Sequence, residues 1–106
     1  MFNPLKTLLI VLLTFLTGTA FSQTLVIPGD EGPGKGKKVV LVSGDEEYRS
    51  EETCPMLAKI LAVHHGFDTE VLFAINPETG VINPELQTNI PGLEALKDAD
   101  LVILDT

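Results

Sequence analysis

Five carboxylates crowd into eight residues, Asp45, Glu46, Glu47, Glu51 and Glu52, with Arg49 the only base among them. The segment SGDEEYRSEE starts at Ser43 and follows directly on the apolar run VVLV, Val39–Val42. Open α/β sheets bind their ligands beyond the carboxyl ends of strands, so acids in that place restrict what can bind. Phosphate meets net repulsion there, which argues against a nucleotide or a flavin phosphate. A divalent cation, a cationic group and a neutral polyol remain compatible. Carboxylates accept hydrogen bonds from hydroxyls, Arg49 donates them, and the Tyr48 ring offers an apolar face for stacking on a sugar. A hard cation needs several converging oxygens. Asp45 with Asp105, the acid ending a later apolar run, supplies two, and nothing else completes a metal pattern. Plainer roles compete: Glu51 and Glu52 suit the positive end of a helix, and Arg49 suits pairing with a neighbouring Glu.

Other chemistry-bearing residues are less informative. Cys54 is the only cysteine, so no intrachain disulfide can form within these residues, and a buried, inert thiol is expected. His64 and His65 fall at the far end of the same predicted helix, away from the acidic loop. His64 continues the spacing of Leu57 and Leu61 and is expected to pack. Gly29, Gly34 and Lys35 match the glycine and lysine spacing of a phosphate-binding loop. Gly36 stands where Ser or Thr would ligate magnesium, and a strand follows instead of a helix, so the match carries no weight. No G-x-S-x-G or G-x-C-x-G nucleophile elbow occurs.

The elements that position these residues follow from hydrophobic pattern. Val39–Val42, Val71–Ile75 and Leu101–Leu104 are short and almost unbroken apolar runs. Such runs suit parallel strands covered on both faces. Between the first two, Leu57, Ile60 and Leu61, flanked by Met56 and Val63, form an apolar stripe at helical spacing. Ser50 or Thr53 is a candidate N-cap, Pro55 belongs near the first turn, and Gly66 ends the helix. A shorter helix is expected over Gly92 to Lys97, after Pro91. The loop NPETGVINPELQTNIP, Asn76 to Pro91, is long enough to be functional or poorly ordered.

This order predicts a flavodoxin-like open parallel sheet with strand order 2-1-3. Its ligand crevice lies between the ends of the first and third strands. Gly44, Asp45 and Glu46 line one side, and Asp105 and Thr106 the other. Gly44 is expected to let the chain turn sharply and approach a ligand closely. The third strand would leave an open apolar edge, which native sheets avoid. Residues 38–106 are therefore expected to be the N-terminal part of a longer α/β domain, or a small domain completed by self-association through that strand.

The chain begins MFNPLKTLLIVLLTFLTGTAFSQ: one lysine, an apolar run and then small residues. That pattern predicts a signal peptide over residues 1–22. Cleavage after Ala20 or after Ser22 fits, and Ser22 is preferred, leaving Gln23 first. The run is too short and too interrupted for a spanning anchor, which needs roughly 20 apolar residues. The expected location is periplasmic or extracellular, with no membrane attachment after cleavage. Residues 23–37 read as a flexible linker rich in Gly, Pro and charge. Removing residues 1–22 takes away one charge, Lys6, and leaves 6 basic against 15 acidic side chains. Such a field disfavours nucleic acid and anionic lipid.

The stretch GPGKGKKVVLVSGDEEYRSEETCPMLAKILAVHHGFDTEVLF, followed by INPELQTNIPGLEALKDADLVILDT, resembles the N-terminal half of a ThuA-like (trehalose utilisation) domain. The likeness runs from Gly32 to Thr106, with SGDEEYRSEE and NIPGLEAL as its most specific parts. It implies a flavodoxin-like fold in the class I glutamine amidotransferase-like superfamily. It also implies a role in carbohydrate use, including disaccharides and their 3-keto forms, with a small-molecule carbohydrate as partner. The family generally lacks the amidotransferase cysteine, and Cys54 does not occupy that position, so amidotransferase activity is not expected. Pocket positions implied are Gly44, Asp45, Glu46, Tyr48, Arg49 and Ser50, with Asp105 and Thr106. The family's later basic and histidine-containing segments have no counterpart in these residues. No cofactor is evident, and a divalent metal stays compatible. A non-catalytic scaffold of the same fold and a metal-dependent hydrolase are the competing expectations.

Overall fold

The computed structural model describes residues 23–106. The signal peptide expected over 1–22 lies outside the described residues. The chain forms β1 (Leu25–Ile27), β2 (Lys38–Ser43), α1 (Ser50–His65), β3 (Asp68–Phe73), a 3-10 helix (Leu93–Asp98) and β4 (Leu101–Asp105). The result is a mixed α/β fold around one four-stranded sheet of order β1-β3-β2-β4. No helix among the described residues is long and apolar enough to cross a membrane.

β2 is central because both its faces are apolar. Val39 and Leu41 face α1, together with Val71 and Phe73 of β3. Val40 and Val42 face the opposite layer, with Leu72 and Ala95 of the 3-10 helix. β2 pairs in parallel with β3, Val39 opposite Thr69, and with β4, Val39 opposite Leu101. β3, β2 and β4 thus keep the sequence expected of the three apolar runs.

The full order differs from the expected one because a fourth strand joins the sheet. β1 comes from the segment expected to be a flexible linker and pairs antiparallel with β3, Leu25 opposite Val71. The sheet is mixed rather than purely parallel. The rest of that segment docks on the end of α1. The Asp30 amide donates to the Ala62 carbonyl at 3.0 Å, and the Gly34 amide to the His65 carbonyl at 2.7 Å. The first adds a second donor to the Ala62 carbonyl, which also accepts from the Gly66 amide, and the second gives the His65 carbonyl at the helix end a partner. The contact is too close for side chains: a Cβ on Gly29 would lie 2.1 Å from the Gly66 carbonyl oxygen. The glycines that imitate a phosphate loop are therefore packing residues.

Two boundaries and the inner face of α1 differ from expectation. β3 starts at Asp68 and ends at Phe73, while Ile75 forms a bridge with Ile82. The second helix is a 3-10 turn over Leu93–Asp98 rather than Gly92–Lys97. The face of α1 that meets the sheet is made of small residues, Ser50, Cys54, Ala58 and Ala62. Leu57 and Leu61 flank it half-buried, while Met56, Ile60 and Val63 are exposed. His64, expected to pack, is exposed as well. Small residues let the helix lie close over the sheet, and the larger side chains then fill its sides.

The long loop is pinned by its own sequence. Asn76 and Asn83 each head an Asn-Pro-Glu turn, their Oδ1 atoms accepting from the Glu78 and Glu85 amides at 2.9 and 3.1 Å. Asn89 Nδ2 donates to the Ile75 carbonyl, and the Ile75 amide to the Asn89 carbonyl at 2.9 Å. Asn side chains mimic a backbone turn in this way.

β4 is the other edge of the sheet, bonded to β2 alone among the described strands. Leu101, Val102 and Leu104 are exposed on it, Leu104 by 66%.

Candidate functional site

The carboxyl end of β2 meets the end of β4. The Gly44 amide donates to the Asp105 carbonyl at 2.9 Å, extending the parallel ladder by one bond. A Cβ on Gly44 would stand 3.0 Å from Thr106 Cγ2. Gly44, Asp105 and Thr106 are thus brought together as the sequence predicts. The reason for glycine is different: Gly44 is not among the residues with positive φ, so it serves close approach to Thr106 rather than a sharp turn.

Beyond Gly44 the loop is built by hydrogen bonds from its own residues. Asp45 Oδ1 accepts from the Glu47 amide at 3.1 Å, and Oδ2 from the Tyr48 amide at 2.7 Å. Asp45 is half-buried and its carboxylate shapes the loop, keeping only its remaining lone pairs for a ligand. Glu46, Glu47, Tyr48 and Arg49 are exposed, Tyr48 by 78%. Arg49 has φ 58° and ψ 46°, the left-handed region that costs a non-glycine residue roughly 1–2 kcal/mol. It is also the N-cap of α1, so neither Ser50 nor Thr53 caps by its side chain. Thr53 instead donates back to the Arg49 carbonyl at 3.2 Å. The Arg49 guanidinium sits 3.7 Å from Glu52 with both groups exposed, a pair worth little.

Ser50, implied as a pocket residue, is fully buried. Its hydroxyl lies 2.8 Å from Ser43 Oγ, accepts from the Asp45 amide at 3.1 Å and donates to the Asp45 carbonyl at 3.2 Å. That assignment makes Ser43 the donor to Ser50 and saturates the Ser50 oxygen. Ser50 therefore ties the strand end to the helix start and offers no atom to a ligand. Glu51 is half-buried, and its Oε2 is shielded from solvent without a hydrogen-bond partner.

Cys54 faces the same strand ends from the first turns of α1. It is buried, and burial first, then the negative charge of Asp105, pushes its thiol up to about 11 from 9.0. A thiol held neutral at ordinary pH is a poor nucleophile. This fits the inert role expected of it. Among the described residues no group of three or more His, Cys, Asp or Glu gathers to hold a metal ion.

A groove of about 340 Å³ lies one strand over, beside the carboxyl end of β3. Its walls include Gln23, Thr24 and Leu25 from the arm, with Phe73, Ile75 and Ile82 opposite. Sequence reasoning missed it because it depends on β1, which no periodicity announced. No family model, curated protein or solved structure matches the chain.

Proposed function

We propose that this chain is an exported ThuA-like domain, flavodoxin-like in its parallel strands, that binds or processes a carbohydrate in a sugar-utilisation pathway. One observation carries the reading: the end of β2, beside the end of β4, presents an exposed loop of acids, one tyrosine and one arginine. The point where strand order reverses is where open α/β sheets take ligands. Glu46 and Glu47 supply acceptors to hydroxyl donors, the Tyr48 ring a stacking face, and Arg49 a donor to sugar oxygens. The same acids oppose a phosphorylated ligand. The resemblance of the sequence to the ThuA-like family points to disaccharides or their 3-keto forms.

Calorimetric titration of the full-length protein with a panel of disaccharides and 3-keto disaccharides tests this. Glu46→Ala and Tyr48→Ala are expected to weaken binding tenfold or more without unfolding the protein. No binding and no turnover across the panel would overturn the reading.

A second reading is a non-catalytic scaffold of the same fold. It is favoured by the polar atoms of Asp45 and Ser50, which serve the loop's own structure. Under that reading the Glu46 and Tyr48 variants fold normally and leave the sugar phenotype of the producing cell unchanged.

A further inference from the structure

The structure bears on what happens to the first residue left by export. Thr24, the second residue after the preferred cleavage point, is held in the fold. Thr24 Oγ1 donates to Glu70 Oε2 at 3.1 Å, and its methyl sits where a Cβ on Gly92 would come within 2.6 Å. Leu25 then enters the sheet opposite Val71. Cleavage after Ser22 leaves Gln23 first, directly ahead of the anchored Thr24. Gln23 itself is exposed and lies in a bend ahead of β1. Its side chain is free to fold back on its own backbone nitrogen.

We infer that Gln23, once freed by cleavage after Ser22, is a modification site that closes to pyroglutamate; this rests on the export reading. The uncharged α-amine attacks Cδ of the side-chain amide. The new N–Cδ bond completes a lactam, the Cδ–Nε2 bond breaks, and Nε2 leaves as ammonia with the proton the amine gives up. No oxidant, reductant or further reactant is needed. The α-amine of a free terminus titrates near 8, so an uncharged fraction exists at neutral pH.

Gln23 is exposed at the rim of a groove lined also by Thr24, Leu25, Phe73, Ile75, Gly80 and Ile82, so its terminus is open to reaction. The closed ring also removes the free amine that aminopeptidases grip. An arm that supplies both an edge strand and a helix cap is thereby protected from trimming.

The test uses full-length protein recovered from the exported fraction. Primary amines are labelled on the intact protein before tryptic digestion, which then cuts only after arginine, and the N-terminal peptide, which ends at Arg49, is sequenced by mass. The expected peptide starts at residue 23, is lighter by one ammonia and carries no label at its terminus. A peptide starting at Gln23 with a labelled amine overturns the cyclisation and leaves export standing. One starting at Phe21 overturns the cleavage position. One that retains residues 1–20 overturns the export reading itself. A Gln23→Glu variant, whose carboxylate is a poor electrophile, is expected to keep the cleavage site and become labelled. A variant terminus that stays blocked also overturns the inference.

Discussion

Replacing Ser50 by alanine removes the one oxygen that joins β2, the acidic loop and α1. Three hydrogen bonds disappear: one with Ser43 Oγ at 2.8 Å, and two with the amide and carbonyl of Asp45 at 3.1 and 3.2 Å. Asp45 is half-buried, so its backbone groups recover water. Ser43 is buried and loses the partner that satisfies its hydroxyl. A buried donor left alone costs about 1–3 kcal/mol, and the bonds to Asp45 add a few tenths each. Ser50→Ala should therefore destabilise the protein by about 2–3 kcal/mol. With a urea slope of about 1–3 kcal/mol per molar, the unfolding midpoint should fall by roughly 0.7–3 M. The double variant Ser43→Ala/Ser50→Ala removes the orphan as well as the bond. Its loss should fall short of the summed single losses by about 1 kcal/mol. Urea unfolding of the full-length protein, followed by circular dichroism, reads all three variants. A Ser50→Ala effect below about 0.5 kcal/mol, or strict additivity in the cycle, would refute the shared-hydroxyl account.

Three other outcomes are expected. Arg49→Gly relieves left-handed strain at φ 58° and should stabilise the protein by about 0.5–1 kcal/mol. The same change should weaken sugar binding, so calorimetry and unfolding move in opposite directions. Gly29→Ala places a Cβ against the Gly66 carbonyl and should cost about 1–3 kcal/mol, with faster limited proteolysis between residues 23 and 37. The folded Cys54 thiol, at about 11 against 9.0, should resist iodoacetamide at pH 8 and react at once after denaturation. Because the folded state holds that proton more tightly, its contribution to stability is complete below about pH 9. It is lost as pH rises through about 11, visible as a midpoint decline that Cys54→Ala abolishes.

What the chain's linear order determined is what local pattern can encode. Val39–Val42 and Val71–Ile75 are apolar at every position and enter strands buried on both faces, while the third run, Leu101–Leu104, enters a strand that keeps Leu101, Val102 and Leu104 exposed. The parallel strands, the helix between the first two, and the acids at the end of β2 were all legible from this. So was the meeting of Gly44 with Asp105 and Thr106, once a strand order had been assumed.

Which surfaces meet across long separations was decided only by tertiary structure. Leu25–Ile27 is too short to show a period, and it became a strand because the outer edge of β3 had unpaired amides and carbonyls to offer. Gly29, Gly32 and Gly34 looked like a loose linker until the carbonyls at the end of α1 and the Phe67 ring came within touching distance. The helix stripe suggested Leu57, Ile60 and Leu61 as the inner face, but close approach to the sheet selected Ala58 and Ala62. Ser50 carries no sign in the sequence that its hydroxyl is spent. Hydrogen bonds that saturate a group come from residues the fold brings together, and spacing along the chain says nothing of them.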